Sequence, residues 1–208
     1  LVLYMVPSLA LMSQTIRSWK NDASEDFTAF SACSDIRVGK RKKKDSDEVL
    51  VRLSDLAFPA TTDAAKLAEQ VKNSDTEKMT VVFSTYHSID VLSRAQYDHD
   101  LRKFDLIICD EAHRTTGATL VGEDESHFVQ IHDNEHVKGS KRIYMTATPK
   151  IFGEKAKHQA ADSDVSLASM DDESLYGKLL FYRGFGWAVE NDLLTDYKVI
   201  VLAVDEGS

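Results

Sequence analysis

The sequence predicts an α/β fold, a largely parallel sheet with helices on both faces. Short runs of Val, Ile, Leu and Phe alternate with amphipathic stretches along the chain, the order that builds parallel sheets under helical cover. The runs Leu1 to Val6, Thr80 to Phe83 and Phe104 to Cys109 are apolar almost throughout, as strands buried on both faces are. An acidic pair, Asp110 and Glu111, directly follows the most apolar of them, and open α/β sheets bind ligands beyond the carboxyl ends of their strands.

Leu1 to Val6 reads as the first strand, and it starts with no initiator Met or polar leader, so a fragment of a longer protein is expected. Ser8 is placed to cap a helix whose apolar positions Leu11, Met12, Ile16 and Trp19 recur at helical spacing. Phe27 to Ala32 is a weaker strand. Lys40 to Lys44, followed by Asp45, Asp47 and Glu48, predicts a charged loop or hairpin tip whose signs partly cancel. Thr62 is expected to open a helix that turns Ala65, Leu67, Ala68 and Val71 towards the sheet. Thr80 to Phe83 is a buried strand, Ser88 a cap for a helix through Ile89, Leu92 and Ala95, and Phe104 to Cys109 the next strand. A short helix over Glu125 to Ile131 and a strand over Arg142 to Met145 follow. Residues 154 to 175, polar and rich in Ala, Ser and Asp, predict a mobile loop. Trp187 to Leu194 reads as a helix and Lys198 to Val204 as a last strand, with no internal repeat.

With 208 residues, 43% hydrophobic and 28% charged, one sizeable core is the expectation. A net charge of −9 excludes a uniformly basic surface that would coat nucleic acid, and leaves room for a local phosphate-binding groove. No run approaches the roughly 20 apolar residues of a membrane span. The apolar start contains Pro7 and lacks the basic residues of a signal peptide, so no membrane association and a cytoplasmic protein are expected. Cys33 and Cys109 read as reduced core thiols.

Adjacent carboxylates repel, and a divalent cation that bridges nucleotide phosphates relieves the repulsion. Asp110 is then the metal holder, through water to Mg2+, and Glu111 orients or deprotonates the water that attacks a terminal phosphoryl group. For a lone Asp-Glu pair a solvated strand end would be the simpler reading.

The neighbouring residues decide otherwise. Asp110-Glu111-Ala112-His113 at a strand end, followed by Arg142-Ile143-Tyr144-Met145-Thr146-Ala147-Thr148-Pro149, resembles the DEAH and TAT motifs of superfamily 2 helicases. One tetrapeptide arises by chance in about one chain in a thousand of this length, and here two motifs stand in the family's order. The resemblance implies a RecA-like domain of the P-loop NTPase type, with ATP and Mg2+ as cofactors. It gives catalytic roles to Asp110, Glu111 and His113, the His linking the nucleotide site to Thr146 and Thr148 as a coupling pair. Pro7-Ser8-Leu9-Ala10-Leu11-Met12-Ser13-Gln14 is similar to the family's Pro-Thr-Arg-Glu-Leu-x-x-Gln segment, which assigns DNA contact to Pro7, Ser8 and Gln14, with Leu9 where the family has Arg. Thr85-Tyr86-His87-Ser88 resembles the Thr-Tyr-x-Ser segment of type I and type III restriction motors, where Thr85 and Ser88 would touch the phosphate backbone.

The motif Gly-x-x-x-x-Gly-Lys-Ser/Thr does not occur in the chain. In the family the strand carrying that phosphate cradle is expected next to the one that ends in Asp110. Three completions stay open: a gap between the acidic strand and the Thr-Ala-Thr strand, direct pairing of those two, or a slot filled by a neighbouring chain. The chain by itself is expected not to hydrolyse ATP appreciably. The implied layout is a RecA-like first motor domain over 1–150, a polar loop over 151–175, and over 176–208 the end of that domain with a connector towards a second RecA-like domain. The implied function is that of an ATP-dependent helicase or translocase on duplex or single-stranded DNA, with restriction/modification-type subunits as partners. The alternatives are a non-catalytic DNA-binding or interaction module, and the motor portion of a restriction-type nuclease complex. His127, His132 and His136 with Asp133 form a weak metal candidate. Tyr182, Arg183, Phe185 and Trp187 could stack a base, though packing of the last helix on the sheet is the simpler reading.

Overall fold

The computed structural model describes residues 1–33, 60–120, 127–163 and 165–196. The charged run from Lys40, the start of the helix expected at Glu125 and the strand expected over Lys198 to Val204 lie outside them. The chain divides into two compact units, Leu1–Tyr176 and Gly177–Ser208.

The first unit is built on six parallel strands: β1 (Val2–Val6), β2 (Phe27–Ala32), β3 (Ala60–Thr61), β4 (Met79–Thr85), β5 (Leu106–Cys109) and β7 (Arg142–Tyr144), in the order β3-β2-β4-β1-β5-β7. A separate antiparallel pair joins β6 (Gly117–Leu120) to β8 (Val165–Ala168). β1 shows why both faces need cover. Its alternate residues Leu3 and Met5 enter one core with α2 (Ala64–Lys72) and α3 (Ile89–Asp98), while Tyr4 and Val6 enter another with Met12 and Ile16 of α1 (Leu9–Asp22). A period of two sends neighbours to opposite faces, so a strand apolar at every position must be sandwiched.

Ser8 caps α1, its hydroxyl accepting from the Leu11 amide at 3.3 Å. In α2 the expected register is off by one. Asp63, rather than Thr62, is the cap, because its carboxylate accepts from two orphan amides, Ala65 at 2.9 Å and Lys66 at 3.2 Å. Ala64 is therefore buried and Ala65 exposed. Ser88 precedes α3 but gives it no side-chain cap.

Direct pairing completes the sheet. β5 lies between β1 and β7, with Ile108 opposite Ile143 and Cys109 opposite Tyr144. The expectation of a cradle strand beside β5 is thereby corrected, since both edges of β5 are taken and β7 is the edge strand among the described residues. Gly139 lets the preceding loop close onto β5, for a Cβ there would stand 2.5 Å from Ile107 Cδ1.

Two further expectations fail locally. Over Glu125 to Ile131 the described residues form turns and a 3-10 turn, Gln130–His132, rather than an α-helix. The segment 154–175 is structured: α4 (Glu154–Asp162), β8 and α5 (Glu173–Tyr176) occupy it. Ala, Lys, Glu and Gln favour the helix, Lys157 bridges Glu154 at 3.2 Å and Asp171 at 2.6 Å, and β8 takes a partner strand far back in the chain. These elements belong to the first compact unit, Leu1–Tyr176.

In the second unit, α6 spans Phe185–Glu190, shorter than the helix expected to Leu194, and none of its side chains is buried. Gly177 opens this unit at φ +74°, a conformation glycine takes without a Cβ penalty. Arg183 lies over the rings of Phe181 and Trp187, 4.8 and 5.0 Å from their centroids. Among the described residues no helix is long and apolar enough to cross a membrane.

Candidate active site

Parallel register aligns the carboxyl ends of the central strands. Val6 pairs with Thr85 and Met5 with Cys109, so the segments starting at Pro7, Tyr86 and Asp110 leave the sheet side by side. Thr146 joins them, because the Met145 amide donates to Cys109 O and the Ala112 amide to Met145 O, each at 2.9 Å. Those two bonds lace the acidic turn to the end of β7.

Asp110 is half-buried and held on every side. Its amide donates to Met5 O at 2.9 Å. Its carboxylate accepts from Tyr4 Oη at 3.1 Å and from the Glu111 amide at 2.9 Å, and its carbonyl accepts from Tyr86 Oη at 2.8 Å. Burial first, then the Asp110 charge, push the Tyr4 phenol far above its ordinary range, so Tyr4 stays a donor. A carboxylate has roughly four lone-pair directions, and two are used here.

Glu111 sits at φ 49°, ψ 44°, a left-handed conformation that costs a non-glycine residue on the order of 1 kcal/mol. Its carboxylate lies against His113, Oε2 to Nδ1 at 3.3 Å. The same His113 nitrogen meets Thr146 Oγ1 at 3.0 Å and Thr148 Oγ1 at 3.4 Å, and the Thr148 amide donates to Thr146 Oγ1 at 3.1 Å. The structure thus brings Asp110, Glu111, His113, Thr146 and Thr148 together, with three oxygens converging on one imidazole nitrogen. A hydrogen on Nδ1 can be shared among a carboxylate and two hydroxyl oxygens as acceptors.

The residues expected at nucleic acid are disposed differently. Pro7 is buried, Ser8 half-buried with its hydroxyl engaged in capping, and Gln14 exposed on α1. Thr85 and Ser88 are only 5% and 1% exposed and bond each other through their hydroxyls at 2.8 Å. The candidate metal cluster separates: His127 and His136 face Asp90, at 3.8 and 3.4 Å, whereas His132 turns inward to Tyr144 and Thr115. Among the described residues no group of three or more His, Cys, Asp or Glu is arranged to hold a metal. Cys33 and Cys109 are free and buried, and burial pushes their thiols up to about 11 and about 12, which leaves them protonated and unreactive.

Sequence reasoning missed Tyr4 and Tyr86 as holders of Asp110. For Tyr4 a signal existed, because a tyrosine inside a buried apolar strand must send its hydroxyl to a partner.

The family model for the type III restriction enzyme res subunit matches residues 1–151. Two solved structures are similar. One is a nuclease-deletion mutant of the Type ISP restriction-modification enzyme LlaGI in complex with a DNA substrate mimic, 42% identical over 95% of this chain and 14% of its own, with a TM-score of 0.68. The other is the ATP-dependent Type ISP restriction-modification enzyme LlaBIII bound to DNA, 43% identical over 95% of this chain and 12% of its own, with a TM-score of 0.71. The chain therefore spans a small part of either enzyme's length. No curated protein matches it.

Proposed function

From the premise that the chain belongs to the type III restriction enzyme res-subunit family, we propose that it is the first RecA-like domain of an ATP-dependent DNA translocase within a restriction-type enzyme. The observation that carries this reading is the convergence of Glu111, Thr146 and Thr148 on His113 beside a braced Asp110. A solvated strand end needs neither the strained Glu111 backbone nor the bonds that hold Asp110. Two relatives solved with DNA or a DNA mimic support the track as DNA.

The donor set suits magnesium nucleotide. Magnesium favours one or two carboxylates with water and phosphate oxygens over an all-protein cage, and Asp110 keeps lone pairs free after its two structural bonds. Bound magnesium ATP would supply the electrophilic terminal phosphoryl group and the charge that offsets the paired carboxylates. Asp110 would hold the ion through water. Glu111 orients the attacking water and accepts its proton, and His113 passes the state of that carboxylate to Thr146 and Thr148 on the segment after β7. The phosphate-cradle motif does not occur among the 208 residues, so bound nucleotide would need a cradle supplied from outside them.

The test is DNA-stimulated ATP hydrolysis in a protein that joins this chain to its cradle. Glu111→Gln is expected to lower turnover by at least about 10²-fold, the share of a general base. Turnover at the unaltered level in that variant would sink the assignment.

A further inference from the structure

We propose that His132, with Tyr144 and Tyr176, is a positioning residue that clamps the acidic turn against β7 and so sets the distance between His113 and Thr146. The proposal rests on the motor reading for its effect on turnover, but its structural content stands apart from it.

The clamp is a chain of hydrogen bonds with one workable direction. His132 Nε2 faces Thr115 O at 3.2 Å, and a carbonyl only accepts, so Nε2 carries the hydrogen. His132 Nδ1 faces Tyr144 Oη at 2.9 Å. In the neutral ring Nδ1 is then the acceptor and the phenol donates. On the other side of the turn, Thr115 Oγ1 donates to Ala112 O at 2.8 Å and accepts from Tyr176 Oη at 3.1 Å. Thr115 is wholly buried, so it has no water to replace these partners.

The rings lock the same arrangement by packing. Centroids lie 4.7 Å apart for His132 and Tyr176, 4.9 Å for Tyr144 and Tyr176, and 5.2 Å for His132 and Tyr144. Arg142, at the start of β7, holds the loop that presents His132, donating to Ile131 O at 3.0 Å, Val137 O at 2.6 Å and Asn134 Oδ1 at 3.1 Å.

The geometry explains why the clamp matters to the site. Thr115 ends the 3-10 turn Ala112–Thr115, which contains His113. Tyr144 stands two residues before Thr146. His132 thus bonds both arms of the His113–Thr146 contact, and a shift of the turn relative to β7 would open it. A neutral ring with its hydrogen on Nε2 makes both bonds, the Tyr144 phenol donating to Nδ1. The surroundings keep it neutral: burial first lowers the His132 proton affinity and the Arg142 cation acts the same way, against the Thr115 carbonyl and the Asp172 charge. Tyr144 and Tyr176 are both held protonated, chiefly by burial.

Histidine-nitrogen NMR of the 208-residue chain should show His132 as the unprotonated Nε2–H tautomer at neutral pH. The neutral Nδ1–H tautomer, which would set a bare Nε2 against the Thr115 carbonyl, would overturn the clamp. In the protein joined to its cradle, His132→Leu and Tyr144→Phe should each lower kcat for ATP about tenfold with KM for ATP within about twofold, the signature of misplacement rather than lost binding. His132→Gln, whose carboxamide offers both an acceptor and a donor, should restore most of the rate. Tyr144→Phe keeps the ring and covers the case in which His132→Leu fails to fold. Unchanged kcat in Tyr144→Phe, or a loss that His132→Gln does not recover, would overturn the proposal while Glu111→Gln still abolishes turnover. If Glu111→Gln leaves turnover intact, the motor reading falls instead. The clamp is then judged on amide exchange over residues 112–116, where faster exchange in Tyr144→Phe supports it and unchanged exchange overturns it.

Discussion

The turns that follow β4 and β5 occupy equivalent places at the carboxyl end of one sheet, and they use their polar atoms in opposite ways. After β4, Thr85 and Ser88 bond each other in the interior, and Tyr86 stacks on Phe128 with centroids 5.1 Å apart while its hydroxyl holds the Asp110 carbonyl. After β5, the side chains of Glu111 and His113 remain about a third exposed, and Asp110 keeps unused lone pairs. Position at a sheet's carboxyl end is therefore not enough to make a site. Hydroxyls buried against each other have no access to a ligand, whereas a half-exposed carboxylate can take two structural bonds and still meet one.

The contrast breaks most sharply at Glu111. Replacing it with glycine removes the carboxylate and relieves the left-handed backbone together. ATP turnover in the cradle-containing protein should fall by at least about 10²-fold, while thermal unfolding shows stability unchanged or raised by up to about 1 kcal/mol. A stability loss of similar size would mean that the turn is a structural element like its neighbour after β4. The reverse outcome is expected at Ser88. Ser88→Ala strips Thr85 of its buried partner and should cost about 1 to 3 kcal/mol in urea unfolding, with DNA affinity unchanged per folded molecule. Weaker DNA binding at full stability would make this turn a contact surface after all.

Tyr4→Phe probes the border between the two. It removes one bond to a half-exposed carboxylate and should cost about 1 kcal/mol, read as a shift in the urea midpoint. The smallest effect concerns His132. Burial lowers its folded-state pKa, so as pH falls through about 6.5 the unfolded chain takes up the proton first. Stability is then level above that pH and declines below it until the folded ring is also protonated. Between about pH 7.5 and about pH 5.5 the unaltered chain should lose more stability than His132→Gln. Equal losses would show that His132 is not held neutral by the fold.

The strands β1, β4 and β5 were legible in sequence, because a double-covered strand writes its burial into nearly every residue, while β2 and β7, less buried, showed only as short apolar or β-branched and aromatic runs. Also legible was α1, where Ser8 and the apolar spacing agree. The register of α2 was not, since Thr62 and Asp63 are both capable caps and only the bonds to Ala65 and Lys66 choose between them. Nor were α4 and β8. A polar, Ala-rich stretch carries little hydrophobic period, and the partner of β8 lies in β6, far outside any local window.

Of the candidate site, the acidic tetrad and Thr146-Ala147-Thr148 could be identified from their residues and order alone. The holders of that site could not. Tyr86, His132 and Tyr176 come from segments whose local patterns do not show which distant group they meet, and His132 read chiefly as part of a polar surface stretch.

The amino-acid order by itself determined the α/β class, the strands that make the sheet and the chemistry standing at the end of β5, because burial periodicity and motif residues are local properties. Tertiary structure alone decided that β5 pairs with β7, that Thr85 and Ser88 face each other, and that His132 reaches both arms of the His113–Thr146 contact. Those outcomes depend on which distant segments meet, and a hydrogen bond between residues 33 positions apart, like that of His113 and Thr146, leaves no trace in either segment read alone.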